Sequence, residues 1–146
     1  MTRVVLATEA DVPDWRAMRD ALWPDSVDDN PGEIAAQLDN PEAIALLARD
    51  ESGNAVGFAE GALRHDYVNG CDTSPVGYLE GIYVVPEARR TGVARALIAA
   101  IATWARDQGC RELASDAALD NIGSQQMHEA LGFSETERTI FYRQAL

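Results

Sequence analysis

The sequence predicts an α+β protein. Short runs rich in β-branched and other apolar residues recur from Val4–Ala7 to Val76–Val85 and again near the C-terminus. Two helical periodicities separate the first strand from the second, and two more alternate with strands in the C-terminal half. The resulting order, β-α-α-β-β-β-α-β-α-β, carries no repeat or linker and fits one domain over residues 1–146. Order alone leaves several α+β folds open.

Val4–Ala7 is the first strand. Thr8 is placed to cap a helix over Ala10–Leu22, with Asp11 and Pro13 in its early turns and Trp15, Met18, Arg19 and Leu22 at helical spacing. Trp23-Pro24 breaks that helix, because a residue before proline avoids the helical region. Asn30-Pro31 opens a second one, apolar at Ile34, Ala35 and Leu38. Ala43–Arg49 is a buried strand, and Ser52-Gly53-Asn54 turns the chain into Ala55–Leu63. Arg64–Pro75, RHDYVNGCDTSP, is too rich in Asn, Gly and Asp for regular structure. Val76–Val85 is the central strand. The long helix over Gly92–Gln108 shows an apolar face of Val93, Leu97, Ile98, Ile101 and Ala105 and ends at Gly109. Arg111–Ser115 is a strand, Asn121–Leu131 a helix closed by Gly132, and Phe133 leads into a last strand over Arg138–Arg143.

With 47% apolar residues and no low-complexity run, the composition is that of a globular chain. No apolar stretch approaches the ~20 residues that span a bilayer, and the N-terminus turns acidic too early for a signal peptide. Two cysteines, Cys71 and Cys110, cannot build a disulfide framework, which points to a reduced, cytoplasmic setting. Net charge is −12, and all 12 basic residues are arginine. Nucleic acid and anionic membrane are excluded as partners, since both require a basic surface. The same acidity suits a cationic ligand, though net charge by itself is more simply a solubility feature.

The chemistry concentrates in YLEGIYVVPEARRTGVARAL, Tyr78–Leu97. An apolar strand stops at Pro86, a short loop with Arg89, Arg90, Thr91 and Gly92 follows, and a helix begins. Free backbone N–H groups converge at such a turn, and the helix dipole favours an anion there. The spacing Arg89-x-x-Gly92-x-Ala94 resembles the acyl-CoA pyrophosphate loop of the GCN5-related N-acetyltransferases (GNAT). Gly92 would let the backbone approach the phosphates, and Ala94 would keep the next helical turn clear of them. The element order matches the fold of that superfamily, a mixed and mostly antiparallel sheet with helices on both faces. In it, two strands part to admit a pantetheine arm.

Within the superfamily the chain resembles the aminoglycoside 6′-N-acetyltransferases. The matching blocks are LW-P at Leu22–Pro24, RHDYVNGCD at Arg64–Asp72 and SPVGYLEGIYVVP at Ser74–Pro86. Further blocks are GCRELASD at Gly109–Asp116, LGF-ETER at Leu131–Arg138 and FYR at Phe141–Arg143. Several lie in loops, where packing does not dictate sequence. The resemblance implies an enzyme that uses acetyl-CoA, without metal, to acetylate an aminoglycoside by direct attack in a ternary complex. It also implies a homodimer.

The resemblance further assigns residues. Backbone groups of Ile82, Tyr83 and Val84 would bond the pantetheine arm like an added strand, and an N–H of this strand would face the thioester oxygen. Arg89, Arg90, Thr91, Gly92, Val93, Ala94 and Arg95 would cradle the pyrophosphate. Asn121 would reach the cofactor, or serve only as a helix N-cap. A polycationic substrate needs carboxylates and aromatic walls, and the matching positions are Trp23, Tyr67, Glu80, Asp116 and Glu137. Three have a plainer reading: core packing for Trp23, a turn for Asp116 and solvation for Glu137, which otherwise reaches the site from a dimer mate. Two-residue alternation puts Glu80 on the same side as Ile82, placed to orient the amine or deprotonate it through water. Asp116 would join it.

The departure is His128, in HEALGF, where many superfamily members carry a tyrosine as acid for the thiolate. His128 could supply that proton or be structural, and Tyr142 is the second candidate. With direct transfer, Cys71 is no nucleophile, and His65 is a loop residue. Two other functions stay open: acetylation of a polyamine or other metabolic amine, and acyl-CoA sensing without turnover.

Overall fold

A computed structural model describes residues 2–146. Five strands form one sheet in chain order: β1 (Arg3–Leu6), β2 (Ala43–Arg49), β3 (Ala55–Arg64), β4 (Val76–Val84) and β5 (Leu113–Ser115). The first four are antiparallel neighbours, and β5 lies parallel to β4. The four α-helices are α1 (Val12–Leu22), α2 (Asn30–Asp39), α3 (Val93–Asp107) and α4 (Ile122–Ala130).

Side-chain alternation splits the core between the two faces of the sheet. Leu47 and Phe58 pack against Trp15, Met18 and Ile34 of α1 and α2. Leu46, Ala48, Ala59 and Leu79 pack against Leu97 and Ile101 of α3, with Met127 of α4 at the margin. Helices therefore cover both faces, as the resemblance implies. Among the described residues, no helix is long and apolar enough to cross a membrane.

Two irregularities in β4 matter most. Opposite β3 the register steps from Gly61↔Leu79 to Glu60↔Gly81, so Glu80 is an extra residue, a bulge. On the other edge, pairing with β5 covers only Gly77, Tyr78 and Leu79 and ends at Leu79↔Ser115. Beyond that point β4 and β5 part.

Three sequence expectations need correction. The first helix starts as a 3-10 turn at Glu9–Asp11, and α-helical geometry begins at Val12. There the Asp11 carboxylate accepts the Thr8 N–H at 2.8 Å and its hydroxyl at 3.2 Å, closing the turn before Pro13. β3 extends one residue further than expected, to Arg64. The last strand does not form: residues 134–146 are irregular and exposed. A strand needs an edge to satisfy its N–H and C=O groups, and the chain's own sheet extends none to Arg138–Arg143.

Under α1 and α2 lies a buried polar cluster. The Arg19 guanidinium, 4% exposed, donates from Nη1 to both Glu60 oxygens at 2.5 Å, from Nε to Asn30 Oδ1 at 3.0 Å, and from Nη2 to Glu33. Trp15 Nε1 donates to Glu60 Oε2 at 2.8 Å. No described buried side-chain polar atom lacks a partner, as low dielectric demands. Removing one member strands the other as an uncompensated charge. Glu60→Leu is therefore expected to cost about 3–5 kcal/mol of stability, measured by urea denaturation against wild type. A loss under about 1 kcal/mol would mean that Asn30 and Glu33 compensate Arg19 on their own.

Candidate active site

The bulge decides where Glu80 points. The extra residue breaks two-residue alternation, so Leu79 and Ile82 both pack on the α3 side, while Glu80 lines a cavity under α1 and α2. The expectation that Glu80 and Ile82 share a side is thus overturned, and the reason is backbone register. The cavity measures about 500 Å³ and is lined by Arg19, Trp23, Glu33, Gln37, Glu60 and Glu80, among others. Three carboxylates against one guanidinium leave its wall net negative. Trp23 is half-buried as its aromatic side, edge-on to Phe58 with ring centroids 6.2 Å apart and 4.6 Å from the Arg19 guanidinium carbon. Gly81 admits this ring: a Cβ there would stand 2.4 Å from Trp23 Cη2.

The two candidate carboxylates Glu80 and Asp116 are joined through protein groups. Arg64 grips Glu80 with Nη2 3.0 Å from both oxygens and Nε 3.2 Å from Oε1. Its guanidinium carbon lies 3.4 Å from the centroid of the Tyr78 ring, and the Tyr78 hydroxyl donates to Asp116 Oδ2. Burial pushes the Tyr78 phenol far up, the bond to Asp116 and its negative charge add to this, and Arg64 opposes them. Tyr78 therefore stays a neutral donor that orients Asp116 throughout the physiological range.

Where β4 leaves β5, its outer edge is open. Val85 N–H bonds Val56 C=O at 2.9 Å on the β3 side, so strand alternation turns the backbone of Val84 and Ile82 toward the opening. The Val84 carbonyl is held there by Arg89 Nε at 2.8 Å. Tyr83 turns its backbone to β3 instead, so of the three strand residues expected at the pantetheine arm the fold offers two.

The cleft leads to the first turn of α3. Gly92 caps it at φ 90°, and Arg90 is also left-handed at φ 64°. The next N–H groups, from Val93 to Arg95, belong to a helical first turn and have no intrahelical acceptor. Gly92 has open space where a side chain would stand, so a bulky anion can reach the backbone. Thr91 Oγ1 is turned inward to Ala88 C=O at 2.5 Å, and Arg95 Nη2 leans on Ala130 C=O at 3.4 Å. Polyphosphate fits this cradle through backbone N–H groups and the exposed Arg90 more readily than through Arg89.

His128 is half-buried on α4, 5.2 Å from the Phe133 ring and hydrogen-bonded through Nε2 to Ser115 Oγ at 2.8 Å. Asn121 caps α4, its Oδ1 accepting Ser124 N–H at 3.1 Å. Tyr67 is 76% exposed in the loop after β3, its hydroxyl 3.4 Å from Gly70 N. The C-terminal tail crosses that loop, with Asn69 Nδ2 donating to Thr139 Oγ1 at 3.2 Å. Glu137 sits in this exposed stretch, and Tyr142 is 89% exposed. The fold thus gathers Trp23, Glu80 and Asp116 near the cleft and leaves Glu137 and Tyr142 on the outside. Burial first, then the neighbouring Glu112 carboxylate, pushes the Cys71 thiol up, which disfavours its thiolate. His65 pairs with Glu42 at 2.6 Å on the surface.

Sequence reasoning gave no site role to Arg64, Tyr78, Ser115, Arg19, Glu33 or Glu60. Arg64 and Tyr78 stood inside the quoted blocks. The signal for them was the strand period, which sets Tyr78 beside Ala62 and brings Arg64 back across the strand pair. Nothing local marked the buried Arg19–Glu60 pair.

A sheet that splits beside a bulge, with an anion cradle at one end of the split and an acidic cavity at the other, defines an acyl-CoA-dependent transferase. The chain matches the acetyltransferase (GNAT) family over residues 12–133 and belongs to it. Over 144 residues it is 50% identical to the aminoglycoside N(6′)-acetyltransferase type 1 of Serratia marcescens, covering 98% of this chain and 99% of the relative. It is 52% identical to that of Salmonella typhimurium over 132 residues, 88% of this chain and 89% of the relative. The crystal structure of an aminoglycoside antibiotic 6′-N-acetyltransferase from Acinetobacter baumannii superposes with TM-score 0.96 at 41% identity, covering 100% of this chain and 99% of that one. AAC(6′)-Iy, solved with the bisubstrate analog CoA-S-monomethyl-acetylneamine, superposes with TM-score 0.94 at 44% identity and the same coverage.

Since Gly81 is the space that Trp23 occupies, Gly81→Ala should push the indole out of the cavity wall. The expected result is a drop of about tenfold to a hundredfold in kcat/KM for the amine, with acetyl-CoA affinity unchanged. Steady-state kinetics with each substrate varied checks this.

Proposed function

We propose that this acetyltransferase moves the acetyl group of acetyl-CoA to the 6′-amino group of aminoglycoside antibiotics, by direct attack within a ternary complex, and so confers resistance to them. The observation that carries the reading is the bulged Glu80, set between the anion cradle and the acidic cavity. The relatives above, near 50% identity over almost the whole chain, support the substrate.

The parts then act as follows. Diphosphate rests on the first-turn N–H groups of α3, and Asn121 Nδ2 is free to reach the cofactor because Oδ1 serves the cap. The pantetheine arm adds along the open edge of β4, bonding Ile82 and Val84. Beyond it the thioester meets the bulge, where a strand N–H polarises its carbonyl. The antibiotic, a polycation, takes the acidic cavity. Trp23 and Tyr67 supply faces for its rings and ammonium groups, while Glu80 and Asp116 hold the reacting amine and neighbours. Arg64 shares Glu80 with that amine. Glu80 accepts a proton from the ammonium, directly or through water, and the free amine attacks. Acetylation deletes one charge and one set of donors, which weakens the drug's grip on its RNA target. Acetyl-CoA supply makes the cytoplasm the place of action.

The chain is also proposed to work as a homodimer. Ile140, Phe141 and Tyr142 are 75%, 90% and 89% exposed on a segment with strand periodicity and no strand neighbour. Pairing with a second copy would bury them and bring Glu137 to the partner's substrate side.

Free-thiol release from acetyl-CoA tests the reaction. Kanamycin and tobramycin should give rapid release, and a matched compound with a 6′-hydroxyl should give none. Release with polyamines instead would move the substrate to metabolic amines. Glu80→Gln should lower kcat by about a hundredfold and leave acetyl-CoA binding intact; unchanged turnover removes Glu80 from the mechanism. Sedimentation should find a dimer that is lost when the chain is cut after Phe133, whereas a monomeric wild type overturns the dimer.

A further inference from the structure

The proton for the departing thiolate has no donor among the groups so far assigned. Tyr142 is on the exposed tail, and Tyr78 commits its hydroxyl to Asp116. The β4–β5 junction offers another group. Ser115 is the last residue of β5 to pair with β4, opposite Leu79, so its side chain stands at the apex of the split. From Val85 to Glu80 the open edge spans six residues, five rises or roughly 17 Å at strand geometry. That is about the reach of an extended pantetheine arm anchored at the α3 turn. A thioester at the end of that arm would come to the apex, beside Ser115.

Behind Ser115 stands His128, and its hydrogen bonds fix its protonation pattern. Nδ1 lies 2.7 Å from the Ser124 carbonyl oxygen, one helical turn back, and 3.4 Å from the Ser124 hydroxyl. A carbonyl only accepts, so Nδ1 carries hydrogen and Nε2 is the atom that gains or loses a proton. Nε2 faces Ser115 Oγ at 2.8 Å, and Ser115 Oγ also lies 3.3 Å from the Leu79 carbonyl oxygen. The hydroxyl can thus take a hydrogen bond from Nε2 while presenting its own proton toward the β4 edge. The groups around the ring are Ser115 of β5, Ser124 of its own helix and the Phe133 ring. The nearest charged groups in sequence, Asp116 after Ser115 and Glu129 after His128, are exposed, and among the described residues no ion pair involves His128.

We infer that Ser115 is the group that protonates the coenzyme A thiolate, with His128 as the positioning residue that resupplies it. The inference rests on the acetyl-transfer reading above. In the step, nitrogen of the neutral amine bonds the thioester carbon and the carbonyl pair moves to oxygen. On collapse the C=O bond re-forms and the C–S bond breaks with its electron pair on sulfur. Sulfur takes the Ser115 Oγ proton as Oγ takes the Nε2 proton of the imidazolium. Glu80 has by then released the first amine proton to solvent and takes the second, and solvent reprotonates His128. The Ser115 hydroxyl supplies at the cleft the proton that the resemblance assigns to a tyrosine at position 128.

The test is a single-turnover rate of acetyl transfer to kanamycin across pH, in Ser115→Ala, Ser115→Thr, His128→Gln and the Ser115→Ala/His128→Gln double variant. Wild type should lose rate at high pH. Ser115→Ala and His128→Gln should each be about ten- to a hundredfold slower at neutral pH and lack that falling limb. The double variant should be no slower than the slower single variant, Ser115→Thr should keep the limb, and acetyl-CoA affinity should be unchanged throughout. A falling limb retained in His128→Gln, losses that multiply in the double variant, or variants within twofold of wild type would each overturn the relay. If Ser115→Ala fails to fold, Ser115→Thr against His128→Gln reads the same limb. Wild-type turnover is established first with any amine, so absence of turnover condemns the acetyl-transfer reading and not the relay.

Discussion

Between Gly61 and Glu60, β3 moves by one residue while β4 moves by two, from Leu79 to Gly81. That surplus residue, Glu80, cannot join the ladder, and the strand must twist to pass it. The twist puts Leu79 and Ile82 together in the α3-side core and throws the Glu80 carboxylate into the opposite cavity. The parallel pairing with β5 stops one residue before the bulge. The same distortion therefore frees the outer edge of β4 where an extended ligand can replace a strand. An acidic cavity and an open backbone edge arise from one local defect, side by side.

The surroundings hold that defect in place. Packing of Leu97 and Ile101 beneath β3 and β4 fixes the sheet from one side. From the other, the Arg19–Glu60 cluster clamps α1 and α2 to β3 through direct bonds, so Trp23 at the end of α1 is delivered onto Gly81. The clamp also sets the wall of the cavity, because Arg19, Glu33 and Glu60 are both structural partners and lining. Stability and the cavity wall cannot be altered independently here.

Most elements were legible because each carried a local signal. The β-branched runs, the Gly92 turn and the 3.6-residue stripe of α3 depend on near neighbours in sequence, and their bounds were read within a residue or two. The anion cradle was legible for the same reason. The side to which Glu80 points was not, since a bulge is a mismatch between two strands and appears in neither alone. The strand expected at Arg138–Arg143 has the right pattern, yet a pattern states only what would fit an edge, and the chain provides none. Arg64, Tyr78 and Ser115 escaped because their importance comes from strand pairing across long sequence separation. His128 was marked by its departure from tyrosine, while its partner Ser115 looked like an ordinary strand end.

Arg64 and Glu80 belong to the same chain, so the guanidinium is a tethered competitor for the carboxylate. Its effective concentration is set by geometry, on the order of millimolar or more for short tethers, and does not vary with what the solution contains. A small monoamine meets this competitor with one contact and its own bulk concentration. A rigid molecule bearing several ammonium groups, once anchored by any of them elsewhere in the cavity, presents the rest at a comparable effective concentration. Occupancy of Glu80 then depends on the number of charges a ligand can place at once. A carboxylate already paired with Arg64 would in this way act as a counter of valence.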